Sequence, residues 1–123
     1  VTENISSGQI GEEIAALFLR LKGYQILSRN LRTRVSELDV VARRGDCLVF
    51  VEVKLRGSGS FLRPIECIDA RKKSKLTRGA SIFLQNYPGS EYRQTRFDVV
   101  AINFAGGRLV VDHIEDAFTI EGW

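Results

Sequence analysis

The chain is short of the residues that build metal-thiolate or redox centres: it holds two cysteines and one histidine. Cys47 and Cys67 have no CxxC spacing, and His113 has no second histidine to help bind zinc. The cysteines therefore read as small apolar residues in a reducing compartment, and His113, at a strand end, reads as structural. No run is long and apolar enough to span a membrane, and Val1-Thr2-Glu3-Asn4 does not open a signal peptide. The first residue is not Met, which reads as processing, trimming or fusion; a cytoplasmic protein is the expectation. Internal repeats and dividing linkers are absent, so residues 1–123 are expected to form a single domain, with 1–7 frayed. Charge of one sign is only slightly in excess, at +3 with a pI near 9.1. That suits a nucleic-acid partner without requiring one. Aromatics make up 9%, few enough to weigh against an RNA binder that works by stacking bases.

What is present centres on two apolar runs, Glu37 to Ala42 and Cys47 to Lys54, separated by Gly45-Asp46. A Gly-Asp pair between Val-rich runs reads as a tight hairpin turn, because Gly accepts the positive φ such turns need. Counting outward from the turn sets Arg44 opposite Cys47, Val41 opposite Phe50, Asp39 opposite Glu52 and Glu37 opposite Lys54. Strand side chains alternate, so Glu37, Asp39, Glu52 and Lys54 are expected on one face, at the end remote from the turn. Leu38, Val40 and Ala42 are then expected to meet Val49, Val51, Val53 and Leu55 on the other. Asp39 facing Glu52 costs stability unless a cation lies between them. A divalent metal is one answer; a solvated Glu/Lys ladder with Asp as a strand-end residue is the other.

Around this hairpin the pattern alternates in type. Ser6 with Gln9 resembles a capping box, and Ile10, Ile14, Leu17, Phe18 and Leu21 recur at helical spacing before Gly23. Glu12 lies off that stripe, beside Ala15, Ala16 and Leu19. It is either a surface carboxylate favoured by the helix dipole, or a group brought to the hairpin by a face whose alanines permit close approach. Tyr24 to Arg32 reads as a strand. Leu55 to Ser60 has loop composition, which leaves open a segment closing over a substrate, and Phe61 to Ile68 reads as irregular. Asp69 is an N-cap for a helix to about Gln85, with Leu76, Gly79, Ala80 and Phe83 as its buried stripe and Lys72 at the amino-terminal end. Arg71, Lys75 and Arg78 share another face, either solvated or tracking phosphates. A polar connection over Asn86 to Gln94 leads to a strand over Arg96–Phe104. Gly106-Gly107 then turns the chain into Leu109-Val110-Val111. The order α-β-β-β-α-β-β gives an α/β fold, a mixed β-sheet flanked by two main helices.

Asp39, a hairpin and then Glu52-Val53-Lys54 resemble the PD-(D/E)XK nuclease signature. Ordered blocks carry the likeness further: Gly11-Glu12 with Ala15, Gly23-Tyr24, Arg29 to Arg32, Glu37-Leu38-Asp39, Phe50 to Lys54 with Arg56, Arg96 to Val100, His113-Ile114 and Ala117-Phe118. Together they resemble the YraN-like family of predicted endonucleases related to Holliday-junction resolvases. Two departures are Ser36, where that family usually has Gly, and Leu38, where the signature has Pro. The resemblance implies a restriction-endonuclease-like three-layer core and a metal-dependent DNA endonuclease. Asp39, Glu52 and the Val53 carbonyl would hold Mg²⁺ or Mn²⁺, with Lys54 and Glu12 also catalytic. Arg56, Arg71, Lys72, Lys75 and Arg78 would contact DNA, branched or repair and recombination DNA included, and a homodimer is implied if junctions are cut. The other class left open is a nucleic-acid-binding module that keeps the fold without the chemistry.

Overall fold

The structure is a computed structural model and describes residues 7–56 and 68–118. The elements run α1 (Ser7–Leu21), β1 (Gln25–Arg32), β2 (Glu37–Arg44), β3 (Cys47–Arg56), α2 (Ala70–Gln85), β4 (Gln94–Ala105) and β5 (Arg108–Ile114), in the order expected. The five strands form one mixed sheet in chain order. β1/β2, β2/β3 and β4/β5 pair antiparallel, while β3/β4 pair parallel. A parallel pair cannot be joined by a tight turn, so the chain between β3 and β4 crosses over through α2.

Gly45 takes φ +61 at the hairpin turn, and Arg44↔Cys47 and Val41↔Phe50 pair as the count from the turn requires. Asp69 caps α2, its carboxylate accepting the Lys72 N–H at 2.8 Å. Leu76, Gly79 and Ala80 are the residues α2 buries. They pack with Val41, Leu48, Phe50, Phe97 and Val99 on one face of the sheet. On the other face Ala15 and Leu19 of α1 pack with Val40, Ala42, Val49, Val51, Val100 and Ile102. Each fully buried Val or Leu here contributes about 1.5–3 kcal/mol.

The structure decides a reading left open for α1 and corrects one for β2. In α1 the alanine face is the buried one: Ala15, Ala16 and Leu19 are fully buried, whereas Ile10, Leu17 and Leu21 are 41%, 59% and 79% exposed. Small residues let the backbones close up, with Gly11 against Val53 and Leu55 of β3. The correction concerns alternation in β2. Leu38 joins the α2-side cluster with Val41, although Val40 and Ala42 point to the α1 side. The cause is in β1, where Asn30 sits in the left-handed region at φ +52, between the pairs Arg29↔Val40 and Leu31↔Leu38. Asn tolerates that conformation better than most residues. The break turns the end of both strands over, so Leu31 also packs on the α2 side. Ser6, the Gly57–Ser60 loop, the span from Phe61 to Cys67 and the Arg56 side chain lie outside the described residues.

Candidate metal centre at a fork in the sheet

The β2/β3 ladder closes from Arg44/Cys47 up to Val40/Val51. One step further the partner of the Val53 N–H is not a backbone carbonyl but Asp39 Oδ2, at 2.9 Å. β2 instead continues its pairing with β1, through Leu31↔Leu38 and Arg32↔Glu37. The two strands of the hairpin thus part at Asp39, and its carboxylate caps the opened edge.

Acids reach this fork from both sides. Glu12, Glu37 and Asp39 each bring a carboxylate oxygen into a group lying within 4.8 Å of one another. Glu12 comes from α1, past the first helical turn, so the dipole reading of this residue falls away. From the α2 side comes Glu52, only 5% exposed, with Oε1 3.6 Å from Lys54 Nζ and 3.3 Å from Lys72 Nζ. Its other oxygen, Oε2, is buried without a hydrogen-bond partner among the described residues. The single acidic face expected from strict alternation is therefore replaced by two groups meeting at Asp39, with Glu37 turned toward Glu12 and Arg32 and Lys54 set against Glu52.

The electrostatics follow from burial and like charge. Burial pushes the Asp39 carboxyl up to about 6, and the Glu52 and Glu37 charges push the same way. The Val53 N–H and the Lys72 ammonium act against them. Glu12 is raised as well, first by burial and then by Asp39 and Glu37, with Arg29 opposing. Two carboxyls raised above their usual range, Asp39 and Glu12, beside a buried Glu52 oxygen without a partner among the described residues, suit a cation or a proton. All its donors are oxygens, which suits a hard divalent ion such as Mg²⁺ or Mn²⁺.

Lys72 reaches Glu52, while Arg71, Lys75 and Arg78 stand exposed and form no ion pair among the described residues. Glu37 was expected on the acidic face but not among the metal ligands, because it was placed opposite Lys54; the signal that could have turned it toward Glu12 is Asn30. Ser36 takes an ordinary backbone conformation, and α2 answers its side chain with Gly79, whose Cα lies against Ser36 and Leu38. No described helix is long and apolar enough to cross a membrane.

The fold and site together define a mixed α/β domain with an acidic candidate metal centre where its sheet forks. Residues 11–102 match the model of the uncharacterised protein family UPF0102, and the chain belongs to that family. A UPF0102 protein of Syntrophotalea carbinolica is 42% identical over 121 residues, covering 98% of each chain. One of Syntrophomonas wolfei is 44% identical over 115 residues, or 94% of this chain and 99% of the relative. Another, of Symbiobacterium thermophilum, is 44% identical over 112 residues, covering 90% and 94%.

Proposed function

We propose that this protein is a metal-dependent endonuclease of the PD-(D/E)XK type, hydrolysing phosphodiester bonds in DNA. Two observations carry this reading: Glu12, Glu37 and Asp39 converge within 4.8 Å of one another, and Glu52, whose charge acts on Asp39, has Oε2 buried without a partner among the described residues. A buried carboxylate oxygen without a donor is costly, and a divalent cation is the partner that would relieve it. Asp39, Glu52 and the Val53 carbonyl would hold Mg²⁺ or Mn²⁺. Such an ion supplies Lewis acidity and lowers the pKa of its water at neutral pH.

The chain's own groups do the rest. Lys54, with its side chain 25% exposed, stands where it can offset charge on a phosphate in the transition state. Lys72 holds Glu52 Oε1 and keeps that carboxylate oriented. Glu12, with its proton affinity raised, can accept a proton from the attacking water. The two lysines on Glu52 also favour a second reading, since they partly neutralise it without metal; the domain would then bind nucleic acid without cutting it. Cleavage of linear and branched DNAs in Mg²⁺, Mn²⁺ and Ca²⁺, with calorimetry of metal binding, separates the two. The nuclease reading expects metal-dependent cleavage, and loss of both metal binding and cleavage in Asp39→Ala. DNA binding with neither metal uptake nor cleavage leaves the binding module.

A further inference from the structure

Next to the acid cluster, β1 and the end of α2 border a half-open cavity of about 390 Å³. Leu27 and Leu31 give it aliphatic walls, and Phe83 and Tyr87, stacked 5.5 Å apart at 24°, give it an aromatic one. Asn86 supplies an amide. Arg32 also lines it, its side chain 82% exposed, and reaches Glu37 at 3.9 Å. The cavity thus runs from an aromatic wall to a cation whose other neighbour belongs to the acid cluster.

We propose that this cavity receives an unpaired nucleobase, with the phosphate of the same strand held by Arg32. Its volume is that of a small-molecule site, and apolar walls with a few polar groups are what such sites use. Every base has a π-face, so an aromatic wall binds any of them by stacking, while a paired base is held in its duplex and cannot enter. The Arg32–Glu37 pair is long and solvent-facing, hence weak, and a guanidinium exchanges such a carboxylate readily for the bidentate grip of a phosphate. A phosphate at Arg32 lies beside Glu37, which carries the neighbouring phosphodiester toward Asp39. The substrate class is therefore DNA with unpaired nucleotides, such as an overhang, a flap or a branch. The cleavage of that substrate rests on the nuclease reading; the binding of the base does not.

The test compares short duplexes carrying one unpaired 2-aminopurine nucleotide, an abasic nucleotide at the same place, or none. Binding is measured by fluorescence anisotropy with Ca²⁺ and without divalent ions. The unpaired base should bind on the order of tenfold tighter than the abasic site, with 2-aminopurine emission quenched by stacking. Tyr87→Leu should remove most of that difference and Tyr87→Phe should keep it. Asn86→Trp, at an exposed position, should block the cavity and remove it without disturbing the fold. Arg32→Ala should weaken both probes alike. Equal affinity for the base and the abasic site, or no DNA binding in either condition, overturns the proposal. Discrimination without cleavage in any metal sustains the cavity and defeats the nuclease reading; cleavage without discrimination defeats the cavity alone.

Discussion

Two acids of the sheet are buried, Glu52 at 5% exposure and Asp98 at 1%, and they are treated in opposite ways. Asp98 is fully provided for. Arg96 grips both its oxygens at 2.8 Å, His113 Nε2 lies 2.7 Å from Oδ2, and the Asp116 N–H donates to Oδ1 at 2.9 Å. Lys22 Nζ lies 2.6 Å from His113 Nδ1. Because an ammonium can only donate, Nδ1 accepts and Nε2–H is left to donate to Asp98. Arg96 also donates to the Tyr24 hydroxyl, tying the start of β1 to β4 and β5. Burial alone would raise the Asp98 carboxyl, but the bonds from His113, Arg96 and Asp116 carry it below its usual range. At the fork the balance is reversed: an oxygen of Glu52 has no partner among the described residues, and Asp39 is raised. A satisfied buried acid holds the fold together, and an unsatisfied one is held ready for something that binds.

The largest effect that could break this comparison is on stability. Asp98→Asn should cost about 3–5 kcal/mol, because it breaks the ion pair and hydrogen bonds of a fully buried carboxylate and leaves the half-buried Arg96 guanidinium only Tyr24 and Glu115. Glu52→Gln should change metal-free stability by no more than about 1 kcal/mol, since Lys54 and Lys72 can turn to solvent. Thermal or denaturant unfolding of both variants decides it, and equal losses would mean the two acids do the same job. The pH dependence has a definite sign. A depressed folded-state pKa gives stability that is present above the unfolded value near 4 and lost as pH falls through the folded value. The gap between wild type and Asp98→Asn should therefore close in acid and stay open at neutral pH.

The contrast also explains how much could be read from the chain before folding. The hairpin register was legible from the turn as far as Val40 and Val51, because Gly45-Asp46 fixes a turn and two Val-rich runs fix the strands; the expected pairs Asp39/Glu52 and Glu37/Lys54 lie beyond the fork and do not form. Asp69 announced α2 because capping is local chemistry. The face of α1 was legible only as two alternatives, an Ile/Leu stripe or the close approach of Ala15 and Ala16, and the packing of Gly11 on Val53 and Leu55 decides between them. The two-sided approach of acids to Asp39 was hidden as well, because one left-handed residue, Asn30, reverses the period-two pattern that strand reasoning relies on. The Asp98 network joins residues far apart in the chain, from Lys22 to Asp116, and no local pattern predicts it.

A sharper division at the fork itself comes from Lys54. With Lys72 also on Glu52 Oε1, removing Lys54 leaves that carboxylate one cation and frees room for a metal. Lys54→Ala should keep or slightly raise metal affinity while slowing single-turnover cleavage about 10²-fold or more. Calorimetry and single-turnover kinetics on the same variant read the two effects separately. Wild-type cleavage would leave Lys54 a counter-ion of Glu52 and nothing more.

The smallest expected effect is also the most direct measure of how the fork stores its charge. A carboxyl raised to about 6 in the folded protein binds its proton more tightly than in the unfolded chain. The resulting loss of stability is absent below about pH 4, grows as pH rises toward 6 and is complete above it. Asp39→Asn keeps an acceptor for the Val53 N–H and removes the charge. Without metal, its stability relative to wild type should therefore rise by about 1–3 kcal/mol between pH 4 and pH 7. Adding Mg²⁺ at pH 7 should reverse the order, because a ligand that binds only the folded wild type stabilises it by about 2.7 kcal/mol at a hundred times its Kd. The variant should gain little. Denaturant unfolding at several pH values, with and without Mg²⁺, checks both halves. A difference that is flat with pH would mean that neither burial nor the neighbouring acids raise Asp39; a Mg²⁺ effect equal in both proteins would place the ion elsewhere.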